Sequence, residues 1–175
     1  MPDFSYEYIE DQIYQRLAPF EAADIEVRKL PEDQKELETD GSRPFKKGRI
    51  TIGYKGSKWK EPRSTAQIIQ EEKLIFEIAI QSRQLRGNRG VYLLKKLIKE
   101  ALVGFQPDHC DRITADESGM TGTATQTDGV WTYSALFCCT TESVENFEED
   151  LSIILTKITN NNDELGDSFE VPAAE

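Results

Sequence analysis

A loop with three arginines and two glycines joins a strand-like segment to an amphipathic helix in the run "SRQLRGNRGVYLLKKLIKEALVGFQP", residues 82–107. Glycine-rich turns that open a helix can bind phosphate, and Arg86 and Arg89 would add positive charge. The stretch "GNRG" has only two glycines, three positions apart, and no Lys-Ser/Thr pair follows it. It therefore matches neither dinucleotide-binding nor P-loop spacing. The other use of such a loop is to present arginines to another protein.

Other reactive residue types are too few or wrongly spaced for catalysis. His109 is the single histidine and is adjacent to Cys110, whereas zinc ligands are usually separated by two to four residues. No Gly-x-Ser-x-Gly nucleophile elbow is present. We therefore predict no catalytic, cofactor-binding or metal-binding residue. The cysteines at 110, 138 and 139 are odd in number and are expected to be buried, reduced thiols.

Charge is unevenly distributed along the chain of 175 residues, whose formal net charge is −11. Residues 43–63 carry eight basic side chains against Glu61, while residues 142–175 carry ten acidic side chains against Lys157. Net acidity disfavours nonspecific binding to nucleic acid, because that affinity comes from basic residues. The separation of basic and acidic segments suits docking between copies of the chain or to charged partners. A solvated basic loop and a solvated acidic tail would have the same composition. Trp59, among lysines, either folds back onto the core or anchors a partner.

Helical periodicity marks two segments. Apolar residues three and four positions apart in "SYEYIEDQIYQRLAPF" predict a first helix, with Asp3 or Ser5 as its cap. A second helix is predicted from about Gly90 to Val103, ending at Gly104. The segment "SVENFEEDLSIILTKI" fits a third helix, which we favour, but its β-branched residues also fit a strand.

Alternating apolar residues predict strands in "DIEVRKL", "RITIGY", "EEKLIFEIAIQSR", "RITADES", "GTATQT" and "VWTYSALFCCT". The third of these is the longest, and its outer face is expected to meet another layer or subunit near Ile75 and Ala79. Asp128-Gly129 predicts a hairpin turn before the last strand. The last strand should place Trp131 and Phe137 on the core face. The strands before the second helix suggest an antiparallel meander rather than a βαβ unit.

The expected fold class is α+β, a mostly antiparallel sheet packed by two or three helices. The expected order is helix-strand-strand-strand-helix-strand-strand, with an optional last helix. We expect one domain over residues 3–158, with long loops at 31–47 and 55–69, the second because Gly56 and Pro62 interrupt regular structure. Residues 159–175 should form a mobile acidic tail. No apolar run is long enough to span a bilayer, and the first residues do not have the pattern of a secretion signal. We therefore expect a cytoplasmic protein that is not associated with a membrane.

The element order and four stretches resemble the tail-terminator (tail-completion) proteins of Mu-like contractile-tailed phages and prophages. These stretches are "YIEDQIYQRL", "ITIGYKGSKW", "FEIAIQSRQLRGNRGVYLLKKLIKEALVGFQP" and "DGVWTYSALF". The resemblance covers about Tyr6 to Phe137. Its most specific parts are the arginine loop with the helix ending in "ALVGFQP" and the closing aromatic strand. These motifs are structural, so the resemblance carries over no catalytic residue.

The resemblance implies a ring, a hexamer, on the head-proximal end of the tail tube, where it stops tube polymerisation. Its partners would be the tail tube protein, the neck or connector protein and the sheath protein, with DNA passing through without specific binding. The protein would be found in the host cytoplasm during assembly and then at the tail-neck junction of the virion. An adaptor or cap in a related contractile injection system is an alternative, and a small nucleotide-binding enzyme is a more distant one.

A ring needs two different complementary patches on each subunit, because its interface is heterologous. The basic segment and the acidic surfaces of the first helix or the C-terminus are candidate mates. We therefore interpret the arginine loop as an interface that pairs with carboxylates of a neighbour. The candidate interface residues are Arg49, Lys55, Lys58, Trp59, Lys60, Arg63, Arg83, Arg86 and Arg89.

Overall fold

A computed structural model of the chain describes residues 4–31, 47–63, 68–116 and 124–144. The chain divides into two compact units, Met1–Ser143 and Val144–Glu175. Only Val144 of the second unit is among the described residues. The prediction of a third helix at 144–158 is wrong at Val144, which continues the last strand, and otherwise falls outside the described residues. The predictions for the acidic tail at 159–175 and for most of the loop at 31–47 also fall outside them.

The first unit contains two α-helices and a six-stranded sheet, which confirms the α+β class. Helix α1 spans Tyr6–Leu17 and is followed by a 3₁₀ segment at Ala18–Ala23; helix α2 spans Val91–Leu102. The strands are β1 Ile25–Lys29, β2 Gly48–Trp59, β3 Ile69–Ser82, β4 Thr114–Ala115, β5 Thr125–Thr127 and β6 Val130–Val144. Three strands thus follow α2, one in each of the segments where alternation predicts a strand, although the expected element order counted only two.

The start of α1 and the end of α2 agree with the sequence predictions. Ser5 caps α1, because its Oγ accepts a hydrogen bond from the Tyr8 backbone N–H at 3.1 Å. Helix α2 ends at Leu102, and Gly104 just beyond it has φ +87°, a left-handed conformation that glycine adopts without strain. Ser5 is therefore confirmed as the cap of α1, and Gly104 as the residue at which the chain leaves α2.

The sheet has the order β1-β2-β3-β6-β4, and β5 also pairs with β6. Strand β1 runs parallel to β2, so the expectation of an antiparallel meander is wrong at this strand. A tight turn can join only antiparallel strands, and the long connection from Leu30 to Lys47 permits the crossover. The β5–β6 hairpin is confirmed, with φ of 50° at Asp128 and 76° at Gly129 as a type I′ turn requires.

The predicted loop at 55–69 is wrong over its first part, because Lys55–Trp59 continue β2. Gly56 adopts φ +130° and forms a β-bulge: Tyr54 pairs with Phe76, and Gly56 pairs with the next residue, Ile75. The bulge absorbs one extra residue without ending the strand. It also places Trp59 opposite Glu72, on the face that carries Phe76 rather than on the opposite face.

The hydrophobic core lies between the sheet and the two helices. Ile9, Ile13 and Leu17 of α1 and Leu94 and Ile98 of α2 belong to the same buried cluster as the inward side chains of β3 and β6. The predicted inward residues of β3 (Leu74, Phe76, Ile78 and Ile80) are fully buried. On the other face of β3, Ile75 is buried and Ala79 is half-buried. Contact of that face with another subunit stays a prediction.

Candidate protein interface

The arginine loop, defined here as Arg83–Gly90, is held in one conformation by its own hydrogen bonds. The buried Ser82 hydroxyl donates to the Arg89 carbonyl at 2.7 Å and accepts from the Gln84 N–H at 3.2 Å. The Gly90 N–H donates to the Gly87 carbonyl at 3.1 Å, and Gly87 has φ +89°. Ser82 thus connects both ends of the loop to the end of β3 by hydrogen bonds.

The same loop satisfies the first backbone donors of α2. The Val91 N–H donates to the Gln84 carbonyl at 3.0 Å, and the Tyr92 N–H donates to the Leu85 carbonyl at 3.3 Å. In a phosphate-binding turn, these N–H groups would face the ligand instead. Here the loop carbonyls occupy the positions that phosphate oxygens would need. The geometry therefore favours the protein-interface interpretation of the loop over the phosphate one.

The side chains of Arg83, Arg86 and Arg89 are exposed and form no ion pair with any described residue. Arg83 and Arg89 line a small cavity of about 120 Å³ together with Lys47, Ser82 and Gln84. Lys47 is also paired with Asp24. The structure therefore gathers three cationic side chains around this cavity. Lys47 belongs to the basic stretch at 43–63 and is not among the candidate interface residues; its position one residue before β2 is the sequence signal that places it here.

A second group of candidates lies along the far half of the β2–β3 hairpin. Trp59 is 51% exposed, and Lys58 is exposed beside it. Lys55 pairs with Glu77 at 3.2 Å, and Lys60 pairs with Glu71 at 2.5 Å. All of these side chains remain accessible, so the hairpin end is a basic surface with an exposed indole. Trp59 does not fold into the core, which leaves the anchor as its open interpretation.

Arg63 is held more closely to its own chain than the other hairpin cations. Its guanidinium contacts the Glu71 carboxylate and lies 3.9 Å from Glu142. Because Glu71 is buried, Arg63 and Lys60 neutralise a carboxylate that would otherwise be left without compensation. These two side chains therefore have a structural task in the subunit in addition to any role at an interface.

Arg49 is wrongly placed among the interface candidates. Its side chain is only 1% exposed, and its Nε donates to Glu26 Oε2 at 2.9 Å. Glu26 lies directly beside Arg49 because β1 pairs with β2 in parallel, a register that the sequence did not reveal. A buried guanidinium already bonded within its subunit cannot meet a partner. Arg49 is instead part of the contact between β1 and β2.

Few other features of the described residues could do chemistry. No three His, Cys, Asp or Glu side chains among them are grouped to hold a metal ion. His109 lies in a turn, with φ 61°. The three cysteines are free and buried, which confirms the prediction for them. Neither described helix is both long and apolar enough to span a bilayer.

Comparison with known families gives a match over most of the chain. The sequence model of the family described as Gp37 protein matches residues 13–162, which include the arginine loop, the hairpin and most of the sheet. No curated protein matches the chain. Because the family match covers well over half of the sequence, this chain belongs to the Gp37 protein family, a family of phage proteins.

Proposed function

We propose that this phage protein is a structural virion component, a tail terminator that forms a ring, a hexamer, on the head-proximal end of the tail tube. In this role it ends tube polymerisation and joins the tail to the neck and, in contractile tails, to the sheath. It acts by binding and catalyses no reaction. The proposal rests on the family match, on the sequence resemblance to tail terminators and on the surface described above.

The observation that carries the proposal is the arginine loop. Its three arginine side chains have no ion-pair partner among the described residues, although the chain as a whole has a net charge of −11. The loop backbone is fixed by hydrogen bonds from Ser82 and Gly90, so the arginines lose little backbone freedom on binding. Guanidinium groups presented in this way fit carboxylates, which they can bind through two parallel hydrogen bonds.

The partner of the loop is a carboxylate-bearing surface of the neighbouring copy or of the tube protein. The loop binds an acidic protein surface rather than DNA. A subunit with net negative charge repels the DNA that passes through the ring. The basic end of the β2–β3 hairpin, with Lys58 and Trp59, provides a second and separate contact. A closed ring of identical subunits also requires a patch complementary to these basic ones, and the acidic surface of the first helix is the candidate for it. The protein would assemble in the host cytoplasm and remain at the tail-neck junction of the virion.

The test is charge reversal at the loop with a matched control. Arg86→Glu/Arg89→Glu should raise the protein concentration needed for ring formation and tube capping at least about tenfold, because each reversal replaces attraction by repulsion. Lys96→Glu/Lys99→Glu on α2 changes the net charge equally at exposed positions and should leave assembly near wild type. Arg86→Lys/Arg89→Lys should fall between them, since lysine keeps the charge but loses bidentate geometry.

Ring formation is measured by light scattering and negative-stain imaging, and capping by tube length after mixing with tube protein. Circular dichroism and thermal unfolding show whether each variant is folded. If the folded Arg86→Glu/Arg89→Glu protein forms rings and limits tube length as the wild type does, the loop is not the interface. If the wild-type protein ignores tube ends and other virion proteins, the tail-terminator role itself is wrong.

A further inference from the structure

Two cysteines that are far apart in the sequence meet in the core. Cys110 lies in the turn after α2 and Cys139 on β6, and the side chains are 6% and 2% exposed. Both belong to the main hydrophobic cluster. Neither residue takes part in the proposed interface. The pair is therefore a separate feature of the subunit.

Backbone contacts on both sides of the pair keep the two thiols together. The Asp111 N–H donates to the Thr140 carbonyl at 2.8 Å. The Thr141 hydroxyl donates to the His109 carbonyl, also at 2.8 Å. These bonds join the neighbours of Cys110 to the neighbours of Cys139. A disulfide needs two α-carbons that are already close, and these bonds hold the turn of Cys110 against the strand that carries Cys139.

Of the two cysteines, Cys110 is the one beside a cavity. It lines an open cavity of about 560 Å³ together with Gln106, Asp111 and Thr141. A hydrogen bond from the Cys139 thiol lowers the pKa of Cys110, while burial opposes this effect. The same hydrogen bond and burial raise the pKa of Cys139. Cys110 is thus the readier thiolate and the better nucleophile of the two.

We propose that Cys110 and Cys139 form a reactive dithiol, which small organic disulfides oxidise to an intramolecular disulfide. The Cys110 thiolate attacks one sulfur of the reagent and breaks its S–S bond, which releases one thiolate that takes up a proton. Cys139 then gives up its proton and attacks the Cys110 sulfur, and the second reagent thiol leaves. The protein loses two hydrogen atoms, and the reagent is reduced to two thiols.

Cys138 is excluded from this chemistry by the strand itself. Adjacent residues of β6 point to opposite faces, and the Cys138 sulfur lies 3.2 Å from the Thr114 hydroxyl, away from the core. Cys138 is therefore an internal control, because it is adjacent to Cys139 in the sequence but lies on the other face of the strand. The proposal does not depend on the place of the protein in a phage tail.

The experiment treats the folded, full-length chain with bis(2-hydroxyethyl) disulfide and counts free thiols by alkylation and mass spectrometry. The count should fall from three to one, and peptide mapping should join Cys110 to Cys139. The bond should raise Tm by about 5–10 °C, because it closes a loop of some thirty residues in the unfolded chain, and dithiothreitol should reverse the shift.

Variants separate the pair from its neighbour. Cys138→Ser should still lose two thiols, whereas Cys110→Ser should form no intramolecular disulfide. The peptide map of the wild-type protein decides the question even if a variant folds poorly. Retention of all three thiols, a disulfide that includes Cys138, or a bond between two chains would overturn the proposal.

Discussion

Gly90 lies directly against the backbone of Arg86. A β-carbon at position 90 would come within 2.6 Å of both the backbone nitrogen and the carbonyl carbon of Arg86, a distance that real contacts do not reach. The rigid main chain cannot move aside as a long side chain could. The glycine that begins α2 therefore also sets the path of the arginine loop.

Gly90→Ala should lower the free energy of unfolding by about 2 kcal/mol, because the added methyl group forces the loop backbone apart. It should also weaken assembly, since Arg86 and Arg89 would move. Gly87→Asn is the matched control: no atom lies within 4 Å of a β-carbon there, and asparagine tolerates positive φ. Its cost should stay below about 1 kcal/mol. Equal urea midpoints for Gly90→Ala and wild type would show that the close approach is not real.

The buried Glu72 carboxylate depends on Tyr6. The Tyr6 hydroxyl donates to Glu72 Oε1 at 3.1 Å, and Glu72 is 1% exposed. Burial raises the pKa of Tyr6, and this hydrogen bond raises it further. Tyr6→Phe should cost about 1–2 kcal/mol, because it removes a donor from a buried charge. Tyr14→Phe, whose hydroxyl makes only an exposed contact of 3.5 Å with Glu21, should cost less than about 0.5 kcal/mol. Thermal unfolding of both variants measures the difference.

The contact between Ser134 and Glu77 predicts a pH dependence. The Ser134 hydroxyl donates to the Glu77 carboxylate, and this bond lowers the pKa of Glu77, with a smaller contribution from Lys55. A carboxyl group whose pKa is lowered in the folded state stabilises the protein at pH values above the ordinary pKa of glutamate. This stabilisation is lost as the pH falls through the lowered pKa. Ser134→Ala should therefore be less stable than wild type at neutral pH, and the gap should close in acid. A gap that stays constant down to acidic pH would contradict the assignment.

Arg49 provides a contrast with the loop arginines. Arg49→Ala should lower the free energy of unfolding by about 2 kcal/mol, because it removes a buried charged hydrogen bond to Glu26 and the packing of a long side chain. The Arg86→Ala change should be close to neutral for stability, since that side chain is exposed. Denaturant unfolding compares the two. Equal effects would mean that the burial of Arg49 does not distinguish it.

Much of the fold follows from local pattern. The stripes that begin with Ile9 and Val91 predict the two helices, and strict alternation predicts the buried face of β3. Asp128-Gly129 predicts its turn because few other residue pairs accept positive φ at both positions. Each of these depends only on residues that are neighbours in sequence.

What the sequence could not reveal depends on register between distant strands. The parallel pairing of β1 with β2 brings Glu26 to Arg49 and converts an apparent surface cation into a buried one. The bulge at Gly56 extends a strand that its glycine seemed to end. The meeting of Lys47 with Arg83 and Arg89 has the same origin, since Gly48 pairs with Ser82 at the end of the sheet.

The bulge at Gly56 also determines which residue the far half of the β2–β3 hairpin can lose without changing the faces of its side chains. Lys55 and Gly56 together occupy one position in the pairing with β3. Loss of Gly56 would therefore leave Ser57, Lys58 and Trp59 each on its present side, with a straighter strand. Loss of Ser57 instead would turn a lysine toward the helices and the indole away from them. Relatives that differ here by one residue should have lost the glycine, and those that lost a neighbour should have replaced the tryptophan.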